Sequence, residues 1–406
     1  REKKMLRIFM FMLAFVTFGL GTAQANEVKV GMIMSYTGPL ESLVPPMEDG
    51  AELAFNEVNA SGELLDGSTI TLVKGDATCI DSAAAVTAAE VAIAEGVVAI
   101  FGADCSGVTK AVTQNVGMPN GIPNISPAAT SPALTTLEDN GLFYRTAPSD
   151  ARGGQVLAAI TADKGVKSVA ITYVNTDYGV GLADVYEASA EALGIEVTAK
   201  IAHEGDKADY SAEVGVLSAA GGDALAVLGY IDQGGNQIIR GALDSGSFDK
   251  FALGDGMIGT SLEDAFGNEL DGSWGSTPGS LGASFQKFQS YASDNGVDPN
   301  GVYVGESYDA AALLMLAMQA GDCDISGCKG SLDGRSIADN IQKVANGTGS
   351  KIYAGELAKG LRLLKAGNSI NYQGATDVNF TDVGEAFGQF LEKSYTGGKF
   401  VNVGAR

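Results

Sequence analysis

The feature that most constrains this chain is a repeated alternation of short apolar segments with amphipathic ones. Val28 to Ser35 (VKVGMIMS) reads as a strand, and Met47 to Ala60 then places Ala51, Ala54, Phe55 and Val58 at helical spacing. Thr69 to Lys74 is the next strand and Asp81 caps a helix running to Glu95. Val97 to Phe101 is a third strand, and Ser106 opens a helix to Val116. Strands buried on both faces carry continuous apolar runs, and an intervening helix makes the crossover parallel. The alternation restarts at Ser168 to Val174. It continues through helix Val180 to Leu193, strand Glu196 to Ile201, helix Ala208 to Ala219, strand Ala224 to Gly229, helix Gln233 to Leu243 and strand Phe251 to Leu253. The chain therefore holds two α/β units that meet near Thr146 to Asp150. Further helices are expected over Tyr303 to Ala320 and Arg335 to Ala345, and short strands over Asp377 to Phe380 and Gly388 to Leu391. A chain of 406 residues exceeds what one hydrophobic core supports, which agrees with two domains.

Residues 1–25 read as a signal peptide. Met5 is the start, Arg7 the basic region, Ile8 to Leu20 the apolar run and Ala23-Gln24-Ala25 the small-x-small cleavage pattern. The run is too short to span a membrane, so the rest is expected in the periplasm, without direct membrane insertion. The net charge of −23 repels nucleic acid and anionic lipid. Four cysteines in an exported chain point to two disulfides. Cys323 and Cys328 are close enough to clip one surface loop, and Cys79 and Cys105 each follow an apolar strand. With no C-x-x-C and the single His203, neither a zinc site nor a histidine triad is expected. Asp322, Asp324, Ser326, Gly327 and Asp333 partly match a calcium loop, but two cysteines interrupt it and the twelfth position is not glutamate. Gly254 to Gly259 fits G-x-G-x-x-G, yet Asp255 inside the loop would repel a pyrophosphate. No cofactor, metal or enzymatic activity is expected.

In open parallel sheets, ligands bind beyond the carboxyl ends of the strands. Two segments stand out there. Gly102-Ala-Asp-Cys-Ser-Gly107 follows a strand and opens a helix at Ser106, where free backbone N–H groups favour an anion. Ile125-Ser-Pro-Ala-Ala-Thr130 brings a hydroxyl to the same sheet edge.

These stretches, with Val28 to Pro39, Gly50 to Ala60, Asp76 to Asp81, Ser126 to Pro132, Tyr144-Arg145-Thr146 and Asp177-Tyr178-Gly179, resemble the leucine/isoleucine/valine-binding family of periplasmic receptors for ABC importers. The resemblance covers nearly the whole mature chain, and SPAATSP some twenty residues after Cys105-Ser106 is its most specific part. It implies an α/β fold of the type I periplasmic binding protein kind, with two doubly wound parallel-sheet lobes joined by a three-strand hinge. The expected boundaries are 26–147 plus 276–373 for the N-terminal lobe and 148–275 plus 374–406 for the C-terminal lobe. It implies that Ser106, Ala128 and Thr130 hold a ligand carboxylate, that Asp255, Tyr178, Tyr230 and the Ala128 carbonyl hold its ammonium, and that Cys79 pairs with Cys105. The side-chain pocket falls on Leu43, Asp104, Cys105, Tyr303 and Glu306.

Three departures from the family pattern matter. Leu43 stands where an aromatic is common, Asp104 replaces a small or apolar residue, and Asp255 is one methylene shorter than the family's glutamate. If Asp104 or Glu306 faces the pocket, a purely apolar ligand side chain is disfavoured. The expectation is a monomeric, non-enzymatic receptor that captures an amino acid ligand and delivers it to an inner-membrane ABC permease. The alternatives are a receptor for another small carboxylate or amide, and a sensory ligand-binding protein.

Overall fold

The computed structural model describes residues 26–406, so the signal segment expected over 1–25 lies outside the described residues. Five parallel strands form the first sheet: β1 (Glu27–Met34), β2 (Thr69–Asp76), β3 (Ala99–Gly102), β4 (Asn124–Ser126) and β5 (Phe143–Arg145). Their order is β2-β1-β3-β4-β5. Because β1 lies between β2 and β3, successive crossovers leave it in opposite directions. That opens a crevice at its carboxyl end.

The second sheet repeats the device with β6 (Ser168–Val174), β7 (Glu196–His203), β8 (Ala224–Leu228), β9 (Phe251–Leu253) and β10 (Trp274–Pro278). Its order runs β10-β9-β8-β6-β7, and the antiparallel strands Phe390–Thr396 and Lys399–Ala405 extend the β10 edge. Here the switch lies between β6 and β8. The apolar runs that defined these strands are buried on both faces: all five residues of β8 are inaccessible.

Several expected boundaries move. Thr277 and Pro278 pair with Leu391 and Phe390, so the second crossing between sheets lies beyond Pro278 and not at 275/276. Residues 374–387 stay with the first lobe, since Arg145 bridges to Glu385 and Phe380 packs edge-to-face on Tyr144. The third crossing is thus near 388–389 and not at 373/374. The strand expected over Gly388 to Leu391 is Phe390–Thr396. The helix expected from Gln233 begins at Asn236, because Gly234 sits at φ 87° and breaks the preceding turn. The first helix starts earlier than expected, at Val44, since Pro45 and Pro46 fit a first helical turn that needs no N–H donors.

The helix Val304–Asp322 is buried all round from Val304 to Gln319. Its Asp309 carboxylate is answered by Tyr372 Oη at 2.7 Å and by the Ala375 and Thr376 N–H groups at 2.7 and 2.9 Å. Burial pushes that carboxyl up to about 6. Among the described residues, no helix is long and apolar enough to cross a membrane. Both disulfides are formed, Cys79–Cys105 and Cys323–Cys328. In the second loop, Asp322 accepts from the Gly330 and Ser331 N–H groups, so a carboxylate offered to calcium is engaged as a turn acceptor.

Arg145 ends β5 with no exposed surface. One guanidinium nitrogen donates to the carbonyls of Ala129 (3.1 Å) and Ser131 (2.9 Å). The other reaches Thr135 Oγ1 (2.9 Å) and Glu385 Oε2 (2.5 Å). This fork ties the loop after β4 to the first lobe. Arg145→Met leaves Glu385 without its counter-charge and takes a donor from each of the Ala129 and Ser131 carbonyls, and is expected to cost about 3–5 kcal/mol in chemical denaturation. The double variant with Glu385→Gln should recover part of the loss, and equal stability of Arg145→Met and the parent protein would remove this role.

Candidate functional site

The two sheets present their carboxyl ends to one another across a cleft. From the first lobe come Asp104 and Ser106 after β3 and Ala128 and Thr130 after β4. From the second come Tyr178 after β6, Tyr230 after β8 and Asp255 after β9. Backbone packing sets these positions. At Gly102 (φ +115°) a Cβ would lie 2.0 Å from the Ile33 carbonyl, so only glycine lets β3 turn toward the cleft beside β1. At Gly256 a Cβ would meet the Gly229 carbonyl at 2.5 Å, so the turn carrying Asp255 lies directly on the end of β8.

One small cavity, with free space of about 10 Å³, is lined by Leu40, Leu43, Met47, Asp104, Ser106, Ala128, Thr130, Tyr178, Tyr230, Asp255, Gly256 and Tyr303. Nearly all the residues read from the sequence thus converge on one place. Two do not. Cys105 lines an adjoining, larger cavity. Glu306 lies near the crossings between lobes with Thr277, Gly279 and Lys393. It is buried and does not line the inner cavity. Burial, with Asp309 adding to it, pushes its carboxyl up to about 7. Desolvation lowers the Lys393 ammonium, which Glu306 counteracts.

The first-lobe side of the cavity carries hydroxyls with hydrogens to spare. Ser106 Oγ accepts from the Ser131 N–H at 3.0 Å, which leaves its own proton to donate. Thr130 Oγ1 is buried without a hydrogen-bond partner. The opposite side is Asp255, only 7% exposed. Its Oδ1 accepts from Tyr178 Oη at 2.7 Å, and its Oδ2 accepts from Tyr303 Oη. A carboxylate offers about four acceptor sites, so about two remain open for a further donor. Tyr178 stacks on Tyr230 with centroids 4.9 Å apart, forming an aromatic wall. Burial raises the Asp255 carboxyl above the usual range, against the two tyrosine hydrogen bonds that lower it.

Asp104 is not at the surface: it is 1% exposed. Its Oδ2 accepts from the Ser35 N–H (2.8 Å), and its Oδ1 accepts from Ser35 Oγ (2.6 Å) and the Cys105 N–H (2.9 Å). The sequence reading missed Asp150, which is 1% exposed in the first turn of the helix Asp150–Asp163. Its Oδ2 has no partner, and Thr130 Oγ1 approaches without reaching hydrogen-bond geometry. An acid in a first helical turn reads as a complement to the helix dipole, so its sequence gave no signal of a site. Leu40 and Met47 were missed for a similar reason, as ordinary apolar positions around a helix start.

The lobes are drawn together by direct contacts. Ser42 Oγ donates to Asp232 Oδ2 (2.9 Å), Ser131 Oγ donates to the Asp177 carbonyl (2.8 Å), and Lys110 pairs with Asp177 at 3.3 Å.

The sequence profile of the family described as "Periplasmic binding protein" matches residues 27–351. The chain belongs to the periplasmic binding protein family. The Leu/Ile/Val-binding protein homolog 1 of Brucella abortus is 32% identical, over 76% of this chain and 81% of that protein. The chemotactic signal transduction substrate-binding protein BasB of Halobacterium salinarum is 28% identical, over 91% of this chain and 87% of its own length. The crystal structure of the leucine-binding protein LivK of Thermotoga maritima superposes with a TM-score of 0.76 at 23% identity, covering 93% of this chain and 98% of that one. This periplasmic binding protein therefore has the type I fold, with its cavity at the switch points of both sheets.

Two acids meet in the cleft of this periplasmic binding protein. Burial and then the charge of Asp255 hold the Asp150 carboxyl well above the usual range. A carboxyl raised in the folded state favours folding at low pH and loses that contribution as pH rises above about 4, the unfolded value. Asp150→Asn is therefore expected to raise the unfolding temperature of the ligand-free protein at pH 7. The gain should shrink as pH falls toward 4. A difference that stays constant between pH 4 and 7 would show that no raised carboxyl is being relieved.

Proposed function

We propose that this protein is the exported receptor of an ABC importer, capturing an amino acid between its lobes and delivering it to an inner-membrane permease. The observation that carries this reading is the pairing of two free hydroxyls, Ser106 and Thr130, with a buried acid, Asp255, across one cavity. Hydroxyl donors suit a carboxylate, and a carboxylate flanked by tyrosines suits an ammonium. The Ala128 carbonyl adds an acceptor for that ammonium from the wall of the hydroxyls. An amino acid carries both groups on one carbon, so a single small ligand satisfies both walls.

Capture then works by closure. The first lobe comprises residues 26–148 and 279–387, and the second 149–278 and 388–406, with three crossings as the hinge. Opening separates Tyr303 from Asp255 and admits ligand. Closing excludes water and strengthens each charge-assisted bond. The receptor acts in the periplasm as a monomer and carries out no chemistry on its ligand. The BasB relative supports a second reading, in which the closed form is recognised by a signalling partner in place of a permease.

A thermal-shift screen of the twenty amino acids tests this directly. A ligand at about 100 times its Kd stabilises by about 2.7 kcal/mol. At least one amino acid should raise the unfolding temperature, and no response from any of them would discard the reading. Asp255→Ala is expected to weaken that amino acid more than tenfold in titration calorimetry, and unchanged affinity would remove Asp255 from the ammonium site.

A further inference from the structure

The amino-acid reading leaves charge unexplained, and this inference rests on that reading. A zwitterion brings one ammonium and one carboxylate. The ammonium answers Asp255, and neutral hydroxyls answer the carboxylate. Two more buried acids, Asp104 and Asp150, remain beside the same cavity. The Tyr230 hydroxyl is pushed up by burial and then by the charges of Asp255, Asp104 and Asp150, so all three act on one small volume. Among the described residues, no Lys, Arg or His lines this cavity or the adjoining one. Arg145, whose charge reaches Asp150, is engaged by Glu385 and the loop carbonyls.

Asp104 is the acid presented to the ligand's side-chain region. Three donors from Ser35 and Cys105 fix its carboxylate in place. One of about four acceptor sites stays free. Leu40, Leu43 and Met47 share that wall and suit a methylene stem. The adjoining cavity, of about 400 Å³, shares Tyr230 with the inner one and gives a longer side chain room. Gln233 lines it, 5% exposed, with an unpartnered Oε1 acceptor. Glu204 and Asp206 stand at its rim. The charged side chains on these walls are all acids, and Gln233 adds an unpartnered acceptor. An aliphatic side chain would seal Asp104 against hydrocarbon with no answering charge.

We propose that the cleft selects an α-amino acid whose side chain ends in a cationic donor group, and that Asp104 decides for it over an aliphatic side chain. Titration calorimetry with L-lysine, L-ornithine, L-arginine, L-leucine and L-valine tests this on the full mature chain and on Asp104→Leu and Asp104→Asn. At least one cationic amino acid should bind the parent protein tenfold or more tighter than leucine. Both variants should weaken it at least tenfold, and Asp104→Leu should improve leucine. Asp104→Asn keeps the size of the side chain, so it carries the test if Asp104→Leu does not fold. Leucine or valine binding tighter than every cationic amino acid overturns the proposal and leaves the amino-acid reading standing, as does a cation-to-leucine ratio unchanged in Asp104→Asn. Binding of none of the five overturns the proposal, and the screen of all twenty amino acids then decides the amino-acid reading.

Discussion

A carboxylate enclosed between two lobes holds its place only if donors from both sides answer it, and Asp255 meets that condition. It stands on the second lobe after β9, accepts from Tyr178 of its own lobe, and accepts from Tyr303 at the start of the long helix of the first lobe. The arrangement of the cleft depends on this shared acid. It joins the two lobes across the cavity, where the aromatic wall of Tyr178 and Tyr230 faces the hydroxyls of Ser106 and Thr130. Desolvation makes such an acid costly, so the folded protein holds unfavourable electrostatic energy at this point of the cleft.

The opposite wall is made rigid by different means. The Cys79–Cys105 bond ties the residue before Ser106 to the loop after β2. Arg145 draws the Ala129 and Ser131 carbonyls toward β5. Between them the two segments of the cradle are fixed independently, and the Ser131 N–H to Ser106 Oγ bond joins them. A grip built this way needs little rearrangement on binding, which limits the entropy lost when a ligand is ordered there. At the crossings between lobes, Glu306 and Lys393 lie buried near one another with both charges disfavoured by desolvation.

Much of this was legible in the chain itself. Continuous apolar runs and helical spacing determined two parallel α/β units, because strands covered on both faces tolerate few polar residues. Gly102 to Ser106 and Ser126 to Thr130 could be placed at sheet edges because they directly follow strands. The fate of the acids was only partly legible. The family resemblance marked Asp104, Asp255 and Glu306 for the site and passed over Asp150. Tertiary structure put Asp104 and Asp255 on the inner cavity, set Asp150 beside them and moved Glu306 away to the crossings between lobes. The lobe boundaries after β10 and near 388 likewise needed the strand pairing. The physical reason is common to both. Local pattern records which face of a segment meets the core, whereas the burial and charge environment of a side chain depend on residues distant in sequence, as Ser35 is from Asp104 and Tyr178 from Asp255.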